Sequence, residues 1–455
     1  MSLVHNWMNF GLPLACIGLL AGCSIYHSKP ITAEGVERQL ATPSDAKLQI
    51  EAAKIKHPIL RPVRIDLRDG VSPDEAALLA VMLNPTLRSD RDRKGLAAAQ
   101  TVQAGVLPNP QISYGRDFVI GGNTADTITA FGLSGSWDVT SLITLIPKME
   151  AARDNARSVD LDVAWTEWQS AQAARLAVYR VAALEAQLAA AHDADTALRQ
   201  NVDTLQKAVD SHDRTVLDLA AARSTSQDAH LTALGVEQEL VRQRLELNRA
   251  MGLPADAKVH VQNVNLPSEI KAPPLGGLFA GLEDRRLDLL GLKQGYMSED
   301  ANLRAAILAQ FPKISIGFNR ATDTSNVQTL GFGVTVDIPI FDRNQGNIAT
   351  ERATRQKLFD EYTDRVFQAR ADIATALADI RILNQQIAAA ERAVPALEKL
   401  LETAQSALAQ GNTDVLSFYQ ARYDLILRKI EVIKLKQQLV EARIALEIAS
   451  GTYLS

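Results

Sequence analysis

Apolar and polar residues alternate without a break from Thr329 to Ile340. Leu330, Phe332, Val334, Val336, Ile338 and Ile340 take one side of an extended chain, and Thr329, Gly331, Gly333, Thr335, Asp337 and Pro339 take the other. A period of two predicts a strand with one apolar face. Just upstream, Ile314, Ile316 and Phe318 alternate with Lys313, Ser315, Gly317 and Asn319. Two similar stretches lie far upstream: QISYGRDFVI from Gln111, and TITAFGLSGSW from Thr127, with Phe131, Leu133 and Trp137 on one face. Each is about ten residues, the length that crosses a bilayer at a tilt. An apolar face backed by Gly, Thr, Ser and Asp is the pattern of a barrel with lipid outside and water inside. Four strands are too few to close such a barrel, which needs at least about eight, and lipid does not tolerate open edges. The pattern therefore predicts that several copies of the chain share one barrel.

The rest of the chain is patterned for helices. Neither Gly nor Pro occurs from Lys148 to Leu234, from Asn347 to Val394, or from Asn412 to Ser450. Runs this long imply coiled coils or helical barrels. In the last run Leu416, Tyr419, Tyr423, Ile426, Ile430, Ile433, Gln437, Val440 and Ile444 recur at spacings of three and four, with Gln437 the one polar exception. A second row, Phe418, Leu425, Val432, Leu439 and Leu446, has Ala421, Leu435, Ala442 and Ala449 beside it on nearly the opposite side. Arg422, Lys429, Lys436 and Arg443 separate the rows on one flank; Asp424, Glu431, Gln438 and Glu441 separate them on the other. Two opposed apolar seams predict a neighbour on each side and water front and back, as in the wall of a hollow tube. A compact bundle would need one broad stripe.

A shift of 199 residues lays TVLDLAAARSTSQ at Thr215 on DVLSFYQARYDLI at Asp414, and EQELVRQRLEL at Glu237 on KQQLVEARIAL at Lys436. The same shift lays Asp138 on Asp337 and Gly252 on Gly451. This predicts two copies of one unit, residues 71–253 and 281–455, joined by a linker, 254–280. Each copy has two strands followed by a long helical hairpin.

Composition agrees with this picture: 47% apolar but only 5% aromatic residues, which favours long helices. A net charge of -5 gives no basic field for nucleic acid. At the start, the apolar run from Phe10 to Ala21 is too short to span a bilayer and suits a signal-peptide core. LAGC, Leu20 to Cys23, resembles a bacterial lipobox. That resemblance implies a signal peptide over 1–22, acylation of Cys23, loss of Cys16, and a lipid-anchored segment over 23–70. Ser24 after the Cys favours sorting to the outer membrane. No Lys or Arg precedes Lys29, which leaves an ordinary signal peptide as the alternative.

The two-copy plan, the strand entries VLPNPQIS and FPKISIG, the strand exit DIPIFDRNQGNIA, and the helix segments ALAQGNTDVLSFYQAR and RIALEIASG together resemble the TolC-like family of bacterial outer-membrane efflux channels. The resemblance covers about residues 60 to 455, and IPIFDRNQGNIA looks most like the heavy-metal cation branch. It implies a mostly α protein with a β-barrel part. The expected assembly is a homotrimer with one 12-stranded transmembrane barrel, continued by a periplasmic helical barrel. It also implies a periplasmic adaptor and an inner-membrane pump as partners, contact with outer-membrane lipid, and passive conduction. Drug efflux or type I protein secretion by the same duct is the alternative; an adaptor would show one hairpin flanked by short all-β domains.

The resemblance also assigns sites. Asp342, Arg343, Asn344 and Gly346 form the barrel-to-tunnel junction, with Gly346 supplying backbone freedom. In the first copy Pro147 is expected to open the helix. Asp414 matches the first of two gate aspartates at the periplasmic tip, Ser417 stands where the second would be, and Asp218 lies at the other tip. Asp414 equally suits a helix N-cap. Pro395 is expected to kink its helix, and Trp137 to sit in an interfacial belt. Trp165 and Trp168 read as helix packing. None of the seven His residues pairs at metal-ligand spacing; His192, His212 and His230 read as solvated. There is no phosphate loop, nucleophile elbow or HExxH, so no catalytic site, cofactor or metal is expected.

Overall fold

A computed structural model of the chain describes residues 25–55, 57–122, 125–410 and 415–454. The chain divides after Thr42 into two compact units. The first contains helix α1 (Ala33–Leu40), opened by Thr32, whose hydroxyl accepts the Gly35 N–H at 3.2 Å. The second contains α2 (Asp45–Ala52), α3 (Pro73–Leu83), α4 (Pro85–Ala104), β1 (Gln111–Asp117), β2 (Ala130–Asp138), α5 (Ser141–Asp210) and α6 (Val216–Met251). It continues with α7 (Leu275–Phe279), α8 (Leu282–Arg285), α9 (Leu287–Leu308), β3 (Lys313–Thr322), β4 (Gln328–Asp337), α10 (Gln345–Ala409) and α11 (Val415–Ser450).

All four strand patterns form strands, in one antiparallel sheet ordered β1-β2-β3-β4. The register keeps like residues on like faces. Ile112, Gly135, Phe318 and Phe332 form one cross-strand row, and Trp137, Ile316 and Val334 the next. On the opposite face, Ser113, Ser134, Asn319 and Gly331 are in register. A slip of one residue would mix the faces, so the alternation itself fixes the pairing.

The helices are long because little interrupts them. At a rise of about 1.5 Å per residue, the 70 residues of α5 reach about 105 Å. The stretch free of Gly and Pro is nonetheless broken at residues 211–215. Ser211 caps α5, His212 takes a left-handed φ of 65°, and Thr215 opens α6 with a capping box to Asp218. Pro147 does not open the helix, which starts at Ser141 and carries the proline inside. The earlier start follows from the sheet: Val139 N–H bonds Ile314 O at 3.0 Å, and Thr140 N–H bonds its neighbour Asp138 Oδ1 at 2.9 Å, so the first turn forms directly off β2. Pro395 lies within α10, which continues on both sides of it.

Helices α6 and α11 are both 36 residues, and their first and last residues are 199 apart. Both end at a left-handed glycine, Gly252 (φ 73°) and Gly451 (φ 70°). At Gly252 a Cβ would lie 2.6 Å from the backbone of Leu83 and Asn84, so no side chain fits where α6 meets the end of α3.

The core lies at the level of α3 and the strand-distal part of α9. Leu78, Leu79, Val178, Val181, Leu247 and Met251 join α3, α5 and α6. Trp165 and Trp168 pack with Leu87 and Leu287, as the helix-packing reading expected. Ile373, Ile380, Ile387, Leu439 and Leu446 join α10 to α11.

Candidate channel wall, junction and tip

The two seams of α11 meet two different neighbours. Leu439, Ala442, Leu446 and Ala449 pack on Ala369, Ile373, Ala376 and Ile380 of α10. Ile430, with Ile426, packs on Ala191 of α5 and Ala233 of α6. The polar exception in that seam, Gln437, accepts a hydrogen bond from Gln187 Nε2 of α5 at 3.4 Å. Charges beside the seams tie each contact down: Lys429 to Glu398 at 2.9 Å and Lys436 to Glu391 at 2.8 Å toward α10, and Glu441 to Arg180 at 2.7 Å toward α5. The helix is thus held on two sides, as its pattern predicts.

At the junction after β4, the left-handed residue is Asn344 (φ 59°), not Gly346, which lies in the first turn of α10 with open space where a Cβ would be. Asn tolerates this conformation because its short side chain bonds locally. Asn344 N–H donates to Asp342 Oδ1 at 2.9 Å, and its Nδ2 donates to Ala306 O of α9 at 2.8 Å. Gln345 Oε1 accepts from Arg343 N–H at 2.6 Å. Asp342, Arg343, Asn344 and Gln345 therefore make the turn rigid and pin it to α9. At the corresponding place in the first copy, Thr140 accepts a short hydrogen bond from Ile314 N–H of β3.

At the α5–α6 tip, Asp218 Oδ2 accepts from Thr215 N–H at 3.2 Å and from its hydroxyl at 2.9 Å, while Thr215 Oγ1 accepts from Asp218 N–H at 3.2 Å. Asp218 is thus a capping-box residue. At the α10–α11 tip, Ser417 is exposed in the first turn of α11, while Asp414 lies outside the described residues, as does Cys23. His192 and His212 are exposed, but His230 is half-buried, with Nδ1 3.3 Å from Asp195 and 2.6 Å from Arg199. It is partnered rather than merely solvated. Trp137 donates its indole N–H to Pro108 O at 2.8 Å, which leaves its ring free for the apolar face.

One buried polar cluster stands apart from every motif. Glu447 of α11 is wholly buried and accepts from Arg175 Nη1 (2.7 Å), Gln172 Nε2 (3.1 Å), Arg443 Nε (3.1 Å) and Leu454 N–H (3.3 Å). Arg175 Nε also lies 3.0 Å from Asp74 Oδ1, close enough for an ion pair but not aligned for a hydrogen bond, and its guanidinium covers the Tyr453 ring at 4.8 Å. Burial pulls the Arg175 pKa down, but the carboxylates of Glu447 and Asp74 together hold it above the ordinary arginine value. Burial raises the Tyr453 hydroxyl to about 12. Glu447 was detectable: it continues the Val440, Ile444 seam at the next spacing of three, and a charge in a dry seam needs a partner. Near the junction, burial and the adjacent Glu351 carboxylate raise Glu299 of α9 to about 7.

Among the described residues no group of three or more His, Cys, Asp or Glu could hold a metal ion, and no helix is long and apolar enough to cross a membrane.

Residues 281–452 match the family model described as outer membrane efflux protein. The match lies in the second copy and covers less than half of the chain. Similar proteins include the cation efflux system protein CusC of Escherichia coli K12, 26% identical over 355 residues, covering 72% of this chain and 74% of the relative. The cobalt-zinc-cadmium resistance protein CzcC of Cupriavidus metallidurans is 24% identical over 194 residues, covering 41% of this chain and 42% of the relative. A solved structure of CusC superposes with a TM-score of 0.68 at 22% identity, covering 88% of this chain and 99% of that one. The chain thus has the fold of that structure.

Proposed function

We propose that this chain is an outer membrane efflux protein, the exit duct of a tripartite pump, and works as a homotrimer. The observation that carries the reading is the sheet. Its faces are sorted into mainly apolar and mainly polar, and among the described residues both of its edge strands, β1 and β4, lack a partner on their outer side. An apolar-faced sheet with open edges is unstable in water and in lipid alike. Three copies joined edge to edge give one closed barrel with the Ser, Gly, Asn and Thr face lining the lumen. Outward apolar stripes support the same joining among the helices. Leu231, Leu234, Val241 and Leu245 are exposed on α6, and Phe367, Ala371, Ala374, Ile382, Ala389 and Leu400 on α10, each at helical spacing.

In this reading the two copies of 71–253 and 281–455 each contribute two strands and a hairpin of tunnel wall. The turn at Asp342 to Gly346 joins barrel to tunnel, and Cys23 carries the lipid anchor. Asp414 and Ser417 narrow the tip, where an adaptor and an inner-membrane pump engage. The names of CusC and CzcC make heavy-metal cations the leading cargo; selection among them belongs to the pump, because a wide lumen has no binding pocket. Native mass spectrometry in detergent should find trimers, and planar bilayers should show discrete channels. Only monomers or dimers, with no conductance, would refute the architecture.

A further inference from the structure

The apolar face of the sheet carries two arginines and no carboxylate. Arg116 of β1 is in register with Phe131, and Arg320 of β3 with Leu133 and Leu330, so both stand among apolar neighbours. Both are exposed, and neither has an ion-pair partner among the described residues; Arg116 only lies over the Phe118 ring at 5.9 Å. The nearby Asp117 belongs to the other face by the strand alternation. Both arginines lie toward the hairpin ends of their strands, away from the ends that meet helices α4, α5, α9 and α10.

Below them on the same face is a crevice of about 600 Å³ lined by Ile112, Trp137, Ile316, Phe318, Phe332 and Val334. The Phe318 ring lies over Gly135, where a Cβ would come within 2.5 Å of it, so the ring forms part of the crevice wall. Along β3, Phe318 of the crevice is followed two residues later by Arg320; along β1, Ile112 leads through Tyr114 to Arg116.

An arginine facing lipid stays charged and cannot remain unpaired in hydrocarbon; it reaches the headgroup level, where its planar fork suits phosphate. We propose that this face is a binding site for an acylated, phosphate-bearing lipid of the leaflet at the hairpin end, with phosphates on Arg116 and Arg320 and an acyl chain in the crevice beneath. The site rests on the membrane-channel reading. One apolar slot under two cations matches the shape of such a lipid.

The test uses the full-length trimer in detergent, with binding followed by native mass spectrometry. The probes are bisphosphorylated lipid A, the same lipid without phosphates, and inorganic phosphate as competitor. Wild type should prefer the phosphorylated lipid, and Arg116→Gln with Arg320→Gln should lose about tenfold in affinity for each charge-assisted contact removed. Millimolar inorganic phosphate should leave the lipid bound. Equal binding of the two lipids, an unaffected double variant, or displacement by phosphate alone would overturn the site. Trimer content and conductance, measured on the same preparations, separate failure of this site from failure of the channel reading.

Discussion

Replacing Glu447 by alanine should destabilise the protein by about 3–5 kcal/mol, the cost of leaving a buried charge without its partner. The four hydrogen bonds that disappear are not the main term. Arg443 is a third exposed and can turn to water, and Gln172 is neutral. Arg175 is different. Its side chain is 9% exposed, and without Glu447 it keeps a hydrogen bond to the neutral Gln172 Oε1 at 2.7 Å, the face of Tyr453, and a misaligned Asp74 as its one nearby carboxylate. Removing both charges with Arg175→Met and Glu447→Met should cost less than either single change, since an apolar pair of similar volume can replace a buried ion pair at little penalty. The assay is guanidinium-induced unfolding of the detergent-solubilised protein, read as a double-mutant cycle. A loss below about 1 kcal/mol for Glu447→Ala, or additivity of the two changes within about 0.5 kcal/mol, would refute the reasoning.

Glu299 gives a pH test: its folded-state pKa is raised to about 7 by burial and then by Glu351, so its stabilising contribution is complete below the ordinary Glu value of about 4.3 and is lost as pH rises through 7. The thermal midpoint should fall from about pH 5 to about pH 8, less so in Glu299→Gln; equal slopes in the two proteins would remove Glu299 as the cause. At the tip, Asp414→Ala should lower cation selectivity and block by multivalent cations in planar bilayers. A pure stability loss of about 0.5–2 kcal/mol, with conductance unchanged, would make Asp414 only a cap. Asp218→Ala, which breaks an observed capping box at the other tip, measures the stability cost of a lost cap. Mass spectrometry of the mature N-terminus should find acylated Cys23; an unmodified Cys23, or a chain that keeps Cys16, would rule out the lipobox.

The strands and seams were legible because each is a periodic pattern whose geometry admits one solution. Leu330 to Val336 can be extended only one way up, although the alternation runs on to Ile340 while the strand ends at Asp337, and the row from Phe418 to Leu446 can face only one neighbour. What periodicity does not carry is which distant residue answers a local oddity. Glu447 and Arg175 are 272 residues apart, and only the placement of α11 against α5 brings them together. The junction shows the same limit at short range. Gly346 is the permissive residue, yet the left-handed position falls on Asn344, because that is where Asp342 and the Ala306 carbonyl supply bonds. Backbone freedom identifies residues able to turn, whereas available hydrogen-bond partners decide which one does.

That distinction also bears on how the wall is held. A helix with two dry seams could slide along either neighbour by a heptad with little change in apolar contact. The polar interruptions remove this freedom. Gln437 meets Gln187 near the middle of α11, and Glu447 meets Gln172 and Arg175 near its end. A one-heptad slip would separate both pairs and take Glu447 away from Arg175 and Gln172. The charged end of the seam therefore sets the axial register of α11 against α5. The same register fixes the axial position of Ser417 in the first turn of α11.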